Sequence, residues 1–189
     1  MVEQFDRLAK YSLDPDNQKM YAARKEQWEK AANQKDVLTD EDTKTLYEYI
    51  SSKSYVINEK LRNGAKLSYE EKKMVGRLNE TLDKVPKYNG NLQRSVYFKF
   101  EEDIEKYVKQ FEVDKIINTK QFLSTTKGQV YNEDGQVQIY IQNAHNGRDI
   151  SSVNAQEQEV LYKTNQKFRV LNKVKADDKY YILLEEYNE

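Results

Sequence analysis

A chain of 189 residues with 38% hydrophobic and 33% charged residues fits one domain, or one domain with a helical appendage, and its 15 Tyr and 6 Phe supply the apolar area for a core. A net charge of −1 implies no strongly basic face and so suggests no nucleic-acid partner, the lack of cysteine excludes disulfides and thiolate chemistry, and the single histidine, His145, excludes a metal site built on several imidazoles. No apolar run of membrane-spanning length occurs, and the opening MVEQFDRLAKYSLDPDNQ lacks the apolar core of a secretory signal, so the expected place of action is the cytoplasm of the cell in which the protein works.

Residues 1–35 read as a helical N-terminal extension, and residues 36–189 as the domain proper. Asp14 and Pro15 form an N-cap and first-turn pair. The helix they open, Asp16 to Asn33, is charged, with only Met20, Ala23 and Trp28 as a thin apolar stripe. So thin a stripe suits a helix that drapes over the rest of the chain or one that binds a delivery or assembly partner. Thr39 with Asp42 is a capping box that uses Asp for Glu, and Leu46, Tyr47, Tyr49 and Ile50 supply the apolar side of the next helix. A third helix runs through Tyr55 to Leu61 and stops at Gly64. Ser68 with Glu71 opens a fourth, with Met74, Val75, Leu78 and Leu82 on one side and Pro86 ending it. Beyond residue 90 the character changes. A strand is expected over Leu92 to Phe98 and a helix over Glu102–Phe111. Further strands are expected near Gln121–Thr126, Gln129–Tyr131, Val137–Gln142, Glu159–Tyr162, Phe168–Lys175 and Tyr180–Tyr187. Asn132 to Gly135 and Asp177-Asp178 mark turns. Helices followed by a mostly β half make the chain α+β.

Three short motifs carry chemistry. Glu157 and Glu159 flank Gln158 at the mouth of a strand, where period-two alternation turns both carboxylates the same way. Arg94 shares a strand face with Leu92 and Val96, and an inward arginine calls for an anion. Phe122-Leu123-Ser124-Thr125-Thr126 ends a strand with three hydroxyls. Each has an ordinary reading too: a solvated strand edge, a structural ion pair, a polar strand end. His145 is a substrate contact or an exposed loop residue, and Tyr107 lines a ligand or packs in the core.

Taken together, these motifs resemble the mono-ADP-ribosyltransferases of the arginine–serine–glutamate class, the exoenzyme domains of bacteria and bacteriophages. Order, spacing and flanks agree, as do the lead-in Tyr55-Val56-Ile57-Asn58-Glu59-Lys60-Leu61-Arg62, the segment Gly147 to Ser151 and the final strand pair, so the likeness covers residues 36–189. It implies N-terminal helices followed by a split, mostly antiparallel β-sandwich. It also implies NAD as substrate, a protein target, and action as a toxin, an effector or a phage-encoded modifier. Carried over residue by residue, Glu159 stabilises the ribosyl cation, Glu157 positions and deprotonates an arginine acceptor, Arg94 holds the diphosphate and Ser124 steadies Glu159. Ser95 and Thr125 join Arg94, Ser124 and Glu159 in contacting NAD. No metal is implied. The chain departs from the family at Asn154, where an aromatic residue is common; Tyr162 or His145 are the substitutes considered. It departs also at Thr126 for Ser, at Ser95 for Gly, and at Lys127-Gly128, where a helix commonly follows. The same residues also fit an NAD glycohydrolase, or a catalytically silent interaction protein of the same fold.

Overall fold

The computed structural model describes residues 38–51, 53–128 and 132–188, and residues 15, 18, 19 and 22 in addition. The Asp14 cap, most of the expected helix Asp16 to Asn33 and the expected strand Gln129–Tyr131 lie outside these stretches.

Three helices begin the described fold: α1 (Asp40–Ile50), α2 (Lys53–Asn63) and α3 (Tyr69–Lys84). Both expected capping boxes form. The Asp42 N–H donates to the Thr39 hydroxyl at 3.2 Å while the Asp42 carboxylate takes the Thr39 N–H at 2.9 Å, and Ser68 and Glu71 repeat the exchange at 3.2 and 2.7 Å. Gly64, at φ +65°, ends α2 as expected: Ala65 N–H reaches back to the Lys60 carbonyl and Gly64 N–H to that of Leu61. Leu46 and Tyr49 of α1 bury with Ile57, Met74, Leu78 and Leu82 against Phe122, Ile150 and Leu161. Tyr47 corrects the expected apolar face, since it is 55% exposed. The buried side of α1 is Asp42, Thr45, Leu46 and Tyr49, and Tyr47 falls about one residue's rotation beyond it.

Asp42 does more than cap. Its two oxygens also accept from the Thr81 hydroxyl at 3.0 Å and from the Lys84 ammonium at 2.9 and 2.8 Å, clamping α1 to α3. Burial pushes its carboxyl up, but Lys84, Thr39 and Thr81 together overcome this and hold it well below the usual carboxylate range.

The β half comprises β1 (Gly90–Val96), α4 (Glu101–Val108), β2 (Ile116–Thr119), β3 (Leu123–Lys127), β4 (Val137–Ala144), β5 (Arg148–Asp149), β6 (Glu159–Tyr162), β7 (Gln166–Ala176) and β8 (Lys179–Glu186). They form one eight-stranded sheet in the order β2-β7-β8-β4-β1-β3-β6-β5, antiparallel except for β4 beside β8. Asp177 and Asp178, both at positive φ, make the expected last hairpin turn. The sheet folds on itself. Although β6 and β7 lie near opposite ends of the strand order, Tyr162 meets Phe168 edge to face with ring centroids 5.2 Å apart. Leu123, Val160 and Tyr162 share a core with Ile139, Phe168, Val170 and Ile182, closed by Ile104, Val108 and Phe111 on and just after α4. Tyr107 packs at this core's edge, its ring tilted against Phe98 and edge-on to Phe111. The halves are thus a sandwich joined by hydrogen bonds, not two separate sheets. No helix among the described residues is long and apolar enough to cross a membrane.

Because folding depresses the Asp42 carboxyl, its contribution to stability is complete above the unfolded value, about pH 4, and is lost as pH falls through the folded one. Asp42→Ala should lower stability at pH 7 by about 1–3 kcal/mol, as buried donors lose their acceptor. Thermal melts should show the gap persisting down to about pH 4 and closing below it. A gap that is absent at pH 7 would contradict the clamp.

Candidate active site

The strands β1 and β3 pair only at Leu92↔Lys127 and Gln93↔Thr126. Past those two positions they part, and the gap opens a cavity of about 670 Å³, within the range of sites that take a nucleotide-sized ligand. Arg94 to Tyr97 form one wall and Phe122 with Ser124 to Thr126 the other; Tyr55, Asn58 and Arg62 of α2 border it on the helical side, and Glu157 and Glu159 near the start of β6. The four residues expected to be catalytic, Arg94, Ser124, Glu157 and Glu159, all line this one cavity.

Arg94 spans the gap. Its guanidinium donates to the Ser124 carbonyl at 2.8 Å. Its Nε is buried with no hydrogen-bond partner among the described residues. A charged fork held at one nitrogen, with a buried donor unspent, is suited to an anion such as a phosphate.

Glu159 is 3% exposed. Burial pushes its carboxyl above the usual range, and the charge of Glu157 pushes the same way. Hydrogen bonding from Ser124 and Asn154 and the charge of Arg94 act against the rise. Ser124, on β3, thus lies beside Glu159. The expected reason for the parallel aim of the two glutamates needs correcting. β6 begins at Glu159, so Glu157 lies in the turn before it and strand alternation does not relate them. Gln158 instead adopts the left-handed conformation, φ +47°, with its side-chain amide on the Ala155 carbonyl at 2.8 Å. That reversal delivers both carboxylates to the cavity.

The other expected ligand contacts differ in detail. Ser95 lines the cavity, but its hydroxyl is donated to Gln138 at 2.7 Å and its backbone pairs with Gln138 on β4. Thr125 borders the cavity yet is 2% exposed, and its hydroxyl donates to the Val160 carbonyl at 2.6 Å. Its side chain pins β3 to β6 and is not placed to meet a ligand. Neither suggested substitute for the missing aromatic lies at the site. Tyr162 is fully buried and donates to Glu186 at 2.7 Å. His145 pairs with Glu186 at 3.0 Å, outside the residues that line the cavity. Asn154 itself faces Glu159, with Nδ2 2.8 Å from Oε2.

Tyr49, Asn58 and Arg62 have no expected role in the site, and Asn154 is expected there only as a departure from the family's aromatic residue. Asn58 is its hinge to the helices: its amide donates to the Tyr49 hydroxyl at 3.1 Å and its oxygen accepts the Phe122 N–H at 3.2 Å. The spacing of Asn58 and Arg62, four apart on one helix, already put both on one face. Gly147, before β5, has a packing reason: a Cβ there would stand 2.6 Å from Val160 Cγ1.

A buried carboxyl with a raised pKa stabilises the fold only at low pH, below its unfolded value, and that stability is lost as pH rises through the folded one. Glu159→Gln should therefore melt at or above the wild-type temperature at pH 7, with the difference narrowing toward pH 4. A variant that melts several degrees below wild type at pH 7 would show that the charge is not held at a cost.

The family model described as ADP-ribosyltransferase exoenzyme matches residues 25–188. The chain is 27% identical over 152 residues to NAD(+)--protein-arginine ADP-ribosyltransferase Tre1 of Serratia proteamaculans (strain 568), covering 79% of this chain and 33% of that protein. It thus spans about a third of the length of this curated relative. Exoenzyme S of Pseudomonas aeruginosa, solved with human 14-3-3 protein beta and carba-NAD, is similar in fold, with a TM-score of 0.64 and 19% identity over 79% of this chain and 75% of that one. So is the ADP-ribosyltransferase Vis from Vibrio splendidus, solved with agmatine, with a TM-score of 0.62 and 18% identity over 85% of each chain.

Proposed function

The chain belongs to the ADP-ribosyltransferase exoenzyme family, and from that membership we propose that it transfers ADP-ribose from NAD to the guanidino group of an arginine on a protein target, releasing nicotinamide. The observation that carries this reading is the meeting of Arg94, Ser124, Glu157 and Glu159 in one cavity at the split between β1 and β3. Residues 36–189 are the catalytic unit in this reading. Residues 1–35 are an extension suited to a delivery or assembly partner, and the work is done in the cytoplasm of the target cell.

The bond that breaks joins C1′ of the ribose to the pyridinium nitrogen. Its electron pair leaves with nicotinamide, which departs neutral, so no general acid is needed. What remains is a ribosyl cation of oxocarbenium character, as in glycoside hydrolysis. Glu159 faces that cation and accepts a hydrogen bond from a ribose hydroxyl. Because it is shielded from water, its negative charge acts on the cation at full strength. Arg94 takes the diphosphate on the nitrogens that Ser124 leaves open, and Arg62 offers a second cation from the helical wall. The acceptor guanidinium has a pKa above 12, so it must lose a proton as its nitrogen forms the new bond to C1′. Glu157, at the cavity mouth, attracts it and takes that proton.

Agmatine is the simplest acceptor. Purified protein should release nicotinamide from NAD and yield ADP-ribosyl-agmatine. Glu159→Gln should lose roughly 10²–10³ in kcat, the range for a preorganised charge-stabilising group. Glu157→Gln should abolish transfer and spare hydrolysis. Arg94→Ala should raise KM for NAD about 10–100-fold, as expected for the loss of a charged hydrogen bond. Nicotinamide release without any agmatine product would favour the glycohydrolase reading. A wild-type protein that neither binds nor cleaves NAD would leave a protein of this fold without its chemistry.

A further inference from the structure

The turn between β5 and β6 enters at Asp149 and leaves at Glu159, and one residue of β3 grips both ends. Lys127 donates its backbone N–H to the Gln158 carbonyl at 3.1 Å, and its ammonium meets Asp149 at 2.6 Å. Asp149 also accepts from the backbone and hydroxyl of Ser151 at 3.1 and 2.6 Å. The Asn154 N–H then closes on the Ile150 carbonyl at 3.0 Å. The backbone of Asn154 is therefore fixed before its side chain acts.

That side chain is aimed at Glu159, its Nδ2 2.8 Å from Oε2. The opposite amide orientation would set an oxygen against a carboxylate, so the donor assignment is the one chemistry allows for an ionised Glu159. An aromatic residue at this position has a ring to offer an incoming protein, whereas asparagine has a hydrogen bond to offer the buried carboxylate. We propose that Asn154 is a positioning residue of the transfer reaction, its amide fixing the rotamer of Glu159 and tying that carboxylate to the turn that carries Glu157. The inference rests on the transferase reading above. An ionised carboxylate has about four lone-pair sites, so donors from Ser124 and Asn154 leave room for a ribose hydroxyl. The pair holds the carboxylate from two sides, one on β3 and one on the turn. Movement of the turn by a docked acceptor would reach Glu159 directly.

The test compares wild type with Asn154→Ala, Asn154→Gln and the near-isosteric Asn154→Asp in nicotinamide release, over pH, with melting curves for each. Carbon NMR of the Glu159 carboxyl accompanies the kinetics. Asn154→Ala should lower kcat about tenfold or more, as loss of one hydrogen bond to a charged group implies, with KM for NAD little changed. Its acidic limb and its Glu159 titration should both move to higher pH, because a donor that favours the ionised form is gone. Asn154→Gln should recover part of kcat. Asn154→Asp, with no donor and a second negative charge, should be the slowest at neutral pH. Equal or faster turnover in Asn154→Ala, with an unmoved acidic limb, would overturn this inference while leaving the transferase reading intact. A wild type that releases no nicotinamide would overturn both.

Discussion

The hydrogen bond from Arg94 to the Ser124 carbonyl, thrown across a gap where two neighbouring strands have stopped pairing, is the contact on which the site depends. Sheets normally exclude such gaps, because unpaired backbone groups in a protected place are costly. Here β1 stays bonded to β4 and β3 to β6, so each strand keeps its outer ladder while the inner edges separate. The guanidinium bridges what the backbone no longer does, and the space it spans is the cavity. The remaining architecture supports that opening. α1 to α3 brace the β3–β6 side through Phe122 and Leu161, while α4 and the β7–β8 pair fill the opposite core. Asn58 reaches from α2 to the backbone at the start of β3.

Electrostatics within the cavity follow the same division of labour. Arg94 and Glu159 form no close ion pair, and the Arg94 charge pulls the Glu159 carboxyl down from a distance. A direct pair would neutralise both. Kept apart, a cation is free for phosphate oxygens and an anion for a sugar carrying positive charge. Glu159 accepts a cost for this, since burial disfavours its ionised form. Functional sites commonly hold groups in environments that strain their ionisation. Asp42 is the contrasting case: another carboxylate with little exposure, but saturated with donors and used to lock two helices together.

Much of this was legible in the sequence because it was written in local signals. Capping boxes at Thr39 and Ser68, the stop at Gly64, the turn at Asp177-Asp178 and the strand Glu159–Tyr162 depend on a few neighbouring residues, and they stand where the residue types put them. What escaped reading depends on partners far along the chain. β2 escapes a sequence reading because Ile116-Ile117-Asn118-Thr119 runs two apolar residues and then two polar ones, without the apolar–polar alternation of a strand, and only pairing with β7 makes it one. The turn between Glu157 and Glu159 was mistaken for strand because a left-handed Gln158 leaves no trace in residue type. Thr125 looked like a ligand contact among three hydroxyls, and only the pairing with β6 shows its hydroxyl already spent. Asn154 stood out as a departure, but its bond to Glu159 is visible only once the turn has folded.

Hydrogen–deuterium exchange of the Glu159→Gln protein, with and without NAD, tests the seat of the substrate most directly, because a variant that turns over slowly holds NAD intact. The account predicts new protection along Arg94–Tyr97 and Phe122–Thr126, the two walls of the split, and around Asn58–Arg62 on α2. Protection confined to other surfaces, such as the second cleft near Phe98 and Tyr180, or none at all with NAD bound, would contradict it.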